Sequence, residues 1–228
     1  FQSGPIFYDA LLPTVASGQN IGKIGSFGVG VGYIGSLIGA STGILLLDYI
    51  GHIGMFKVSA LLFLVFSIPC FIFVKESGLQ KRAIKVIAIR GSIIQLIKTL
   101  ARTREYPGLS RFLIGRVFYA DAVNTLIVFM GIYVTNELGF TESELQIVML
   151  VAIISSIIGA FLWGFMVDSI GPKRTLNLVL ALWVICLGGL AAIPIFDLDS
   201  TVLWVTAILA GIAMGGIWCA DRPYLLRL

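Results

Sequence analysis

Six runs of almost unbroken apolar residues, each about as long as a bilayer is thick, fill most of the 228 residues and settle which solvent the chain folds in. A helix rises about 1.5 Å per residue, so roughly 20 apolar residues cover a hydrocarbon layer of about 30 Å. The runs extend from Phe27 to Leu47, Met55 to Val74, Phe112 to Val134, Ile147 to Val167, Leu176 to Ile195 and Val202 to Ala220. Inside lipid no water satisfies backbone N–H and C=O groups, and no series of ten-residue alternating strands is present to build a barrel. The expectation is therefore an all-α membrane protein with six transmembrane helices and the lipid bilayer as its first partner. Composition agrees, since 58% of residues are hydrophobic and 12% charged, whereas soluble domains average about a quarter charged.

The net charge of +4 does not point to nucleic acid, because the basic residues are concentrated in one interhelical segment. Lys75, Lys81, Arg82, Lys85, Arg90, Lys98, Arg102 and Arg104 oppose only Glu76 and Glu105 there. Lys and Arg accumulate on cytoplasmic loops, so this segment is expected inside. The next connection carries Glu137, Glu142 and Glu144, the following one Asp168, Lys173 and Arg174, and the next only Asp197 and Asp199. Arg222 and Arg227 follow the last span. That alternation places both ends in the cytoplasm and suits a bacterial inner (cell) membrane. Ile93, Ile97 and Leu100 share one helical stripe inside the basic segment, which predicts an amphipathic helix on the inner leaflet. The organisation expected is a helix pair with its preceding loop over 1–74, a basic cytoplasmic linker over 75–111 and a four-helix group over 112–228.

Chemistry that needs clustered ligands or nucleophiles finds little support. His52 is the only histidine and falls in an interhelical turn, while Cys70, Cys186 and Cys219 sit in separate spans with neither a disulfide framework nor zinc spacing. No metal and no cofactor is expected. A Gly-x-x-x-x-Gly-Lys-[ST] loop is absent from the sequence, which disfavours an ATP-driven pump in this chain. Gly30-x-Gly32-x-x-Gly35 does spell a dinucleotide fingerprint, but that motif needs a preceding strand and a soluble βαβ unit.

The glycines have a better use in packing. Gly35, Gly39 and Gly43 recur every four residues, with Gly28, Gly32, Ser36 and Ala40 in a row beside them. Such rows let helices approach closely. Static packing and a helix that slides or rocks predict the same residues, so both readings stay open. Gly211, Gly215 and Gly216 with Ala213 repeat the theme in the last span.

Polar groups inside a span cost insertion free energy and have to face protein or water. The third span carries Arg116, Tyr119, Asp121, Asn124 and Thr125. Asp121 and Asn124, three apart, share a helical face, while Arg116 projects about 140° away from Asp121 at about 100° per residue. Arg116 can snorkel to head groups. Burial in apolar surroundings would press Asp121 towards protonation, making it either a proton-coupling group or the partner of a cation on another span.

The loop Gly164-Phe-Met-Val-Asp168-Ser-Ile-Gly171-Pro-Lys173-Arg174 resembles the G-x-x-x-D-x-x-G-x-[KR]-[KR] loop of the major facilitator superfamily, which lies on the cytoplasmic side between the second and third helices of each half. More narrowly, Phe7-Tyr8-Asp9-Ala10-Leu11-Leu12-Pro13, Gly32-Tyr33-Ile34-Gly35 and Arg116-Val-Phe-Tyr119-Ala-Asp121-Ala-Val-Asn124-Thr125 resemble the vacuole-effluxer branch and its bacterial relatives, linked to amino-acid export in autophagy. The segment Trp218-Cys219-Ala220-Asp221-Arg222-Pro223-Tyr224 departs from that branch, where a Ser-Arg-rich stretch is expected. The resemblance implies a fragment covering about helices five to ten of twelve, with the missing helices of the same chain as partners. It implies a secondary transporter whose halves rock about a midplane site for a small-molecule substrate, with H+ as a candidate coupling ion. On it, Asp121, Asn124, Arg116, Tyr119, Tyr33 and Trp218 become substrate or coupling residues, and Gly164, Asp168, Gly171, Lys173 and Arg174 a cytoplasmic gating loop. A channel, a non-transporting scaffold and a membrane-embedded enzyme are the alternatives.

Overall fold

A computed structural model describes residues 21–73 and 107–226, and every regular element in that range is helical. The Phe7–Pro13 motif, the basic segment with its expected amphipathic helix, and Arg227 lie outside the described residues. We number the elements α1 (Ile21–Phe73), α2 (Pro107–Ile132), α3 (Glu142–Ile170), α4 (Pro172–Ile195) and α5 (Thr201–Leu225). Tyr133–Glu137 extends α2 as a single π-helical turn.

The first two expected spans, the second as far as Phe73, lie within α1. Its apolar stretch, Gly22–Pro69, is 48 residues long, about 72 Å if straight and more than twice a hydrocarbon layer. The break falls at Gly51, whose φ of 63° and ψ of 178° are non-helical. Only glycine adopts such a backbone at little cost. Among the described residues, five helices long and apolar enough to cross a membrane thus carry six crossing-length segments.

Local signals explain the other boundaries. Thr141 and Glu144 form a reciprocal cap at the start of α3: Glu144 N–H donates to Thr141 Oγ1 at 3.3 Å and Thr141 N–H donates to Glu144 Oε2 at 2.8 Å. Gly171, at φ 90°, ends α3, and Pro172 opens α4 where its missing N–H costs nothing. Connections this short make successive helices α2 to α5 alternate in direction across a bilayer.

The backbone forms two compact units. The larger joins α1 up to residue 45 with residues 123–226, and the smaller holds residues 46–73 and 107–122. Within the larger unit α3 and α5 are fitted at backbone distance. A Cβ on Gly159 would stand 2.5 Å from Ile212 O, and one on Gly215 would stand 2.5 Å from Ser156 O and 2.6 Å from Ala160 N. Trp163 lies over Gly216 and donates its indole N–H to Ile212 O at 3.0 Å. In lipid, where apolar tails compete equally for apolar side chains, this close van der Waals fit and interhelical hydrogen bonding drive association. Gly215→Val is therefore expected to cost about 1–3 kcal/mol through overpacking, read as a lower thermal midpoint in detergent. Gly188→Ala is the control, because nothing stands within 4 Å of that site.

The outside is as apolar as the inside. Val184 is 69% exposed and Phe165 64% exposed, an arrangement that water would penalise over the whole surface and hydrocarbon does not.

Candidate functional site: a carboxylate-capped helix start and a buried tyrosine

The first-turn N–H groups of a helix have no partners within it and carry the positive end of its dipole. The first turn of α1 has no acidic residue of its own. Its cap comes instead from the end of α3, where the Asp168 carboxylate accepts from Gly22 N–H at 2.9 Å and from Lys23 N–H at 3.0 Å. A carboxylate in that loop could cap the helix that follows it or pair with a base; Asp168 caps α1. The α4 start has no side-chain cap, and the Thr175 backbone N–H and Oγ1 both donate to Gly171 O at 3.2 and 2.9 Å.

Small residues make that contact possible. Gly22, Ser26 and Gly30 recur every four residues along α1 and meet Asp168, Gly164 and Phe161 of α3 in turn. A Cβ on Gly22 would lie 2.5 Å from Asp168 Oδ1, and one on Gly164 would overlap Ser26. Phe27 adds an edge-to-face contact with Phe161 at 6.5 Å. The expected gating residues thus act in different ways, since Gly164 sets the approach, Asp168 makes the bond and Gly171 makes the turn. Lys173 and Arg174 are exposed at the start of α4.

Farther along α1, Tyr33 and Trp218 come together as neither spacing nor composition required. The Tyr33 hydroxyl is buried without a hydrogen-bond partner, and Trp218, Cys219 and Arg222 of α5 are its neighbours. Cys219 Sγ itself lies 3.5 Å from Ala160 O. One turn on, Asp221 is 2% exposed and interacts with its surroundings.

The remaining candidates sit on α2. Arg116 and Tyr119 are half-buried, and Asp121, Asn124 and Thr125 are exposed. Asp121 therefore differs from the buried carboxylate expected of it, because the buried residues of α2, Phe112 and Val123, share a face that lies roughly opposite Asp121 at about 100° per residue. The expected glycine rows also face outward: a Cβ on Gly32, Gly35, Gly39 or Gly43 would meet nothing within 4 Å, and Gly28 is half-buried. Sequence reasoning passed over Gly22, Ser26 and Phe161, met Gly30 only in the dinucleotide decoy, and met Asp221 and Arg222 only as a departure from the family pattern and a mark of topology. The small-x-x-x-small spacing from Gly22 was a legible signal, but it begins before the apolar run. Among the described residues no three His, Cys, Asp or Glu side chains gather into a metal site.

Bilayer-length helices with an apolar exterior and small-residue contacts define an integral, multi-pass membrane protein. The chain belongs to the family described as vacuole effluxer Atg22 like, whose model matches residues 13–222. It is similar to the uncharacterized MFS-type transporter YxiO of Bacillus subtilis (strain 168), at 26% identity over 100% of this chain and 54% of that protein. An uncharacterized protein of Aquifex aeolicus (strain VF5) is 24% identical over 99% of this chain and 53% of its own length. Autophagy-related protein 22 of Coccidioides immitis (strain RS) is 25% identical over 90% of this chain and 38% of its own length. The chain thus spans about half the length, or less, of these curated relatives. No solved structure matches it.

Proposed function

We propose that the protein is a secondary transporter that moves small solutes by alternating access, and that the Asp168 contact with α1 is its gate on the cytoplasmic side. The observation that carries this reading is the pair of bonds from Gly22 and Lys23 to one carboxylate, at 2.9 and 3.0 Å. A bond between the end of one helix and the start of another, 145 residues away in sequence, can open by small rigid-body movements without breaking either helix. The relative named as an MFS-type transporter and the family described as vacuole effluxer support the class. Amino-acid export and H+ coupling are the finer parts of the proposal. Tyr33, Trp218 and the α2 group of Arg116, Tyr119, Asp121 and Asn124 are its substrate and coupling residues.

A channel or a scaffold is the second reading. Counterflow of labelled amino acids in proteoliposomes holding the full-length protein separates them: a carrier shows trans-stimulation, and a pore does not. Asp121→Asn is expected to abolish proton-driven uptake while leaving exchange and stability near wild type, since exposed substitutions shift stability by only about 0.5 kcal/mol. Unchanged proton coupling in that variant rejects the role of Asp121.

A further inference from the structure

Pro194 lies next to the last residue of α4, and its effect is felt four residues earlier. In an α-helix the carbonyl of residue 190 accepts from the N–H of residue 194, and proline has none to give. The donor comes from another helix: Tyr133 Oη donates to Leu190 O at 2.7 Å.

Two further features converge on this bond. Tyr133 opens the π-helical turn at the end of α2, where Leu138 N–H donates to Tyr133 O at 3.3 Å and Phe140 N–H to Val134 O at 3.2 Å. Such turns are rare and recur where a helix is re-aimed. Beside the bond, α2 and α4 are held apart by an apolar cleft of about 260 Å³ lined by Leu126, Phe129, Met130 and Tyr133 on one side and Leu187 and Leu190 on the other. Leu190 also belongs to a dry cluster with Val134, Val148, Ile193, Leu203 and Ala207. One hydrogen bond therefore stands between a filled core and an unfilled gap.

We propose that the Tyr133 hydroxyl is a latch at the end of the bundle opposite Asp168, replacing the donor that Pro194 removes and pinning the last turn of α4 to α2 until the transporter opens on that face. When the bond breaks, the last turn of α4, from Leu190 to Ile195, is freed and the cleft accepts the displaced side chains. Tyr133 is a positioning residue here and touches no substrate. The functional consequence rests on the alternating-access reading, but the latch is measurable without transport.

The test is a double-mutant cycle in the full-length protein, with Cys70, Cys186 and Cys219 replaced by Ala and a reporter Met130→Cys lining the cleft. Tyr133→Phe removes only the hydroxyl and is expected to speed maleimide alkylation of the reporter roughly three- to ten-fold, the range of interhelical hydrogen bonds in membranes. Pro194→Ala returns an N–H to the Leu190 carbonyl, so in that background Tyr133→Phe is expected to change the rate less than about two-fold. Equal acceleration in both backgrounds, or none in either, overturns the latch. If Tyr133→Phe alone cannot be purified, recovery of monodisperse protein by Pro194→Ala is the expected result, and failure to recover overturns it. Absence of counterflow in the unsubstituted protein would refute the transporter reading while leaving this cycle intact.

Discussion

Asp168→Ala in the full-length protein is expected to cut transport at least ten-fold while leaving the helices assembled. The carboxylate accepts from two first-turn N–H groups of α1, the Gly22 bond partly buried and the Lys23 bond exposed. Hydrogen bonds to charged groups contribute roughly 1.5–3 kcal/mol, and a charge at a helix start adds roughly 0.3–1 kcal/mol. Water replaces much of the exposed bond, so a net loss of about 2 kcal/mol is reasonable, which shifts a closed–open equilibrium roughly thirty-fold. Asp168→Asn keeps an acceptor oxygen and loses the charge, so its rate is expected between Ala and wild type. Initial uptake rates in proteoliposomes at matched protein content read this order. An Ala variant as fast as wild type would remove Asp168 from the gate.

Gly164→Leu is expected to do more, abolishing transport to below a hundredth of wild type. At Gly164 even a single Cβ would overlap the Cβ and Oγ of Ser26, with Gly22 O at 3.3 Å behind them. A leucine there keeps α1 away from α3, so the Asp168 bonds cannot form and closure on that face is lost. The compensating change is specific. Ser26→Gly removes both overlapping atoms, so in a Gly164→Ala background it should restore a measurable part of uptake. It should not rescue Gly164→Leu, whose larger side chain still meets the α1 backbone. Normal transport by Gly164→Leu would mean that the two helices need not touch.

The crossing segments were legible because length and apolarity are enforced residue by residue in lipid. The Gly51 break was legible only as a polar turn, since a φ of 63° leaves no mark beyond the glycine itself. The loop from Gly164 to Arg174 was legible as a motif, yet its partner was not, because a backbone N–H at Gly22 carries no side-chain signature. The glycine rows show the same gap from the other side. Gly35, Gly39 and Gly43 have the spacing of a contact ridge and face open space in this chain, whereas Gly22, Ser26 and Gly30 form the ridge in use. Spacing announces that a helix can be approached; it does not say which face is. Asp121 carries a related lesson, because a carboxylate within an apolar run is exposed whenever its own helix face is unpacked. The Tyr133 bond was hidden for another reason: it answers a vacancy made by Pro194, 61 residues away, and no local pattern joins the two.

The proposed function depends on the α1 start and the α3–α4 turn separating and rejoining as solute crosses. Lys23 and Lys173 are both exposed on either side of that contact, so spin labels at these positions in the full-length protein report it with little disturbance. Pulsed electron–electron resonance in lipid nanodiscs is expected to give two distances whose populations shift when amino acid is added or the pH is changed. A single distance, unaltered by solute, by pH and by Asp168→Ala, would contradict the account.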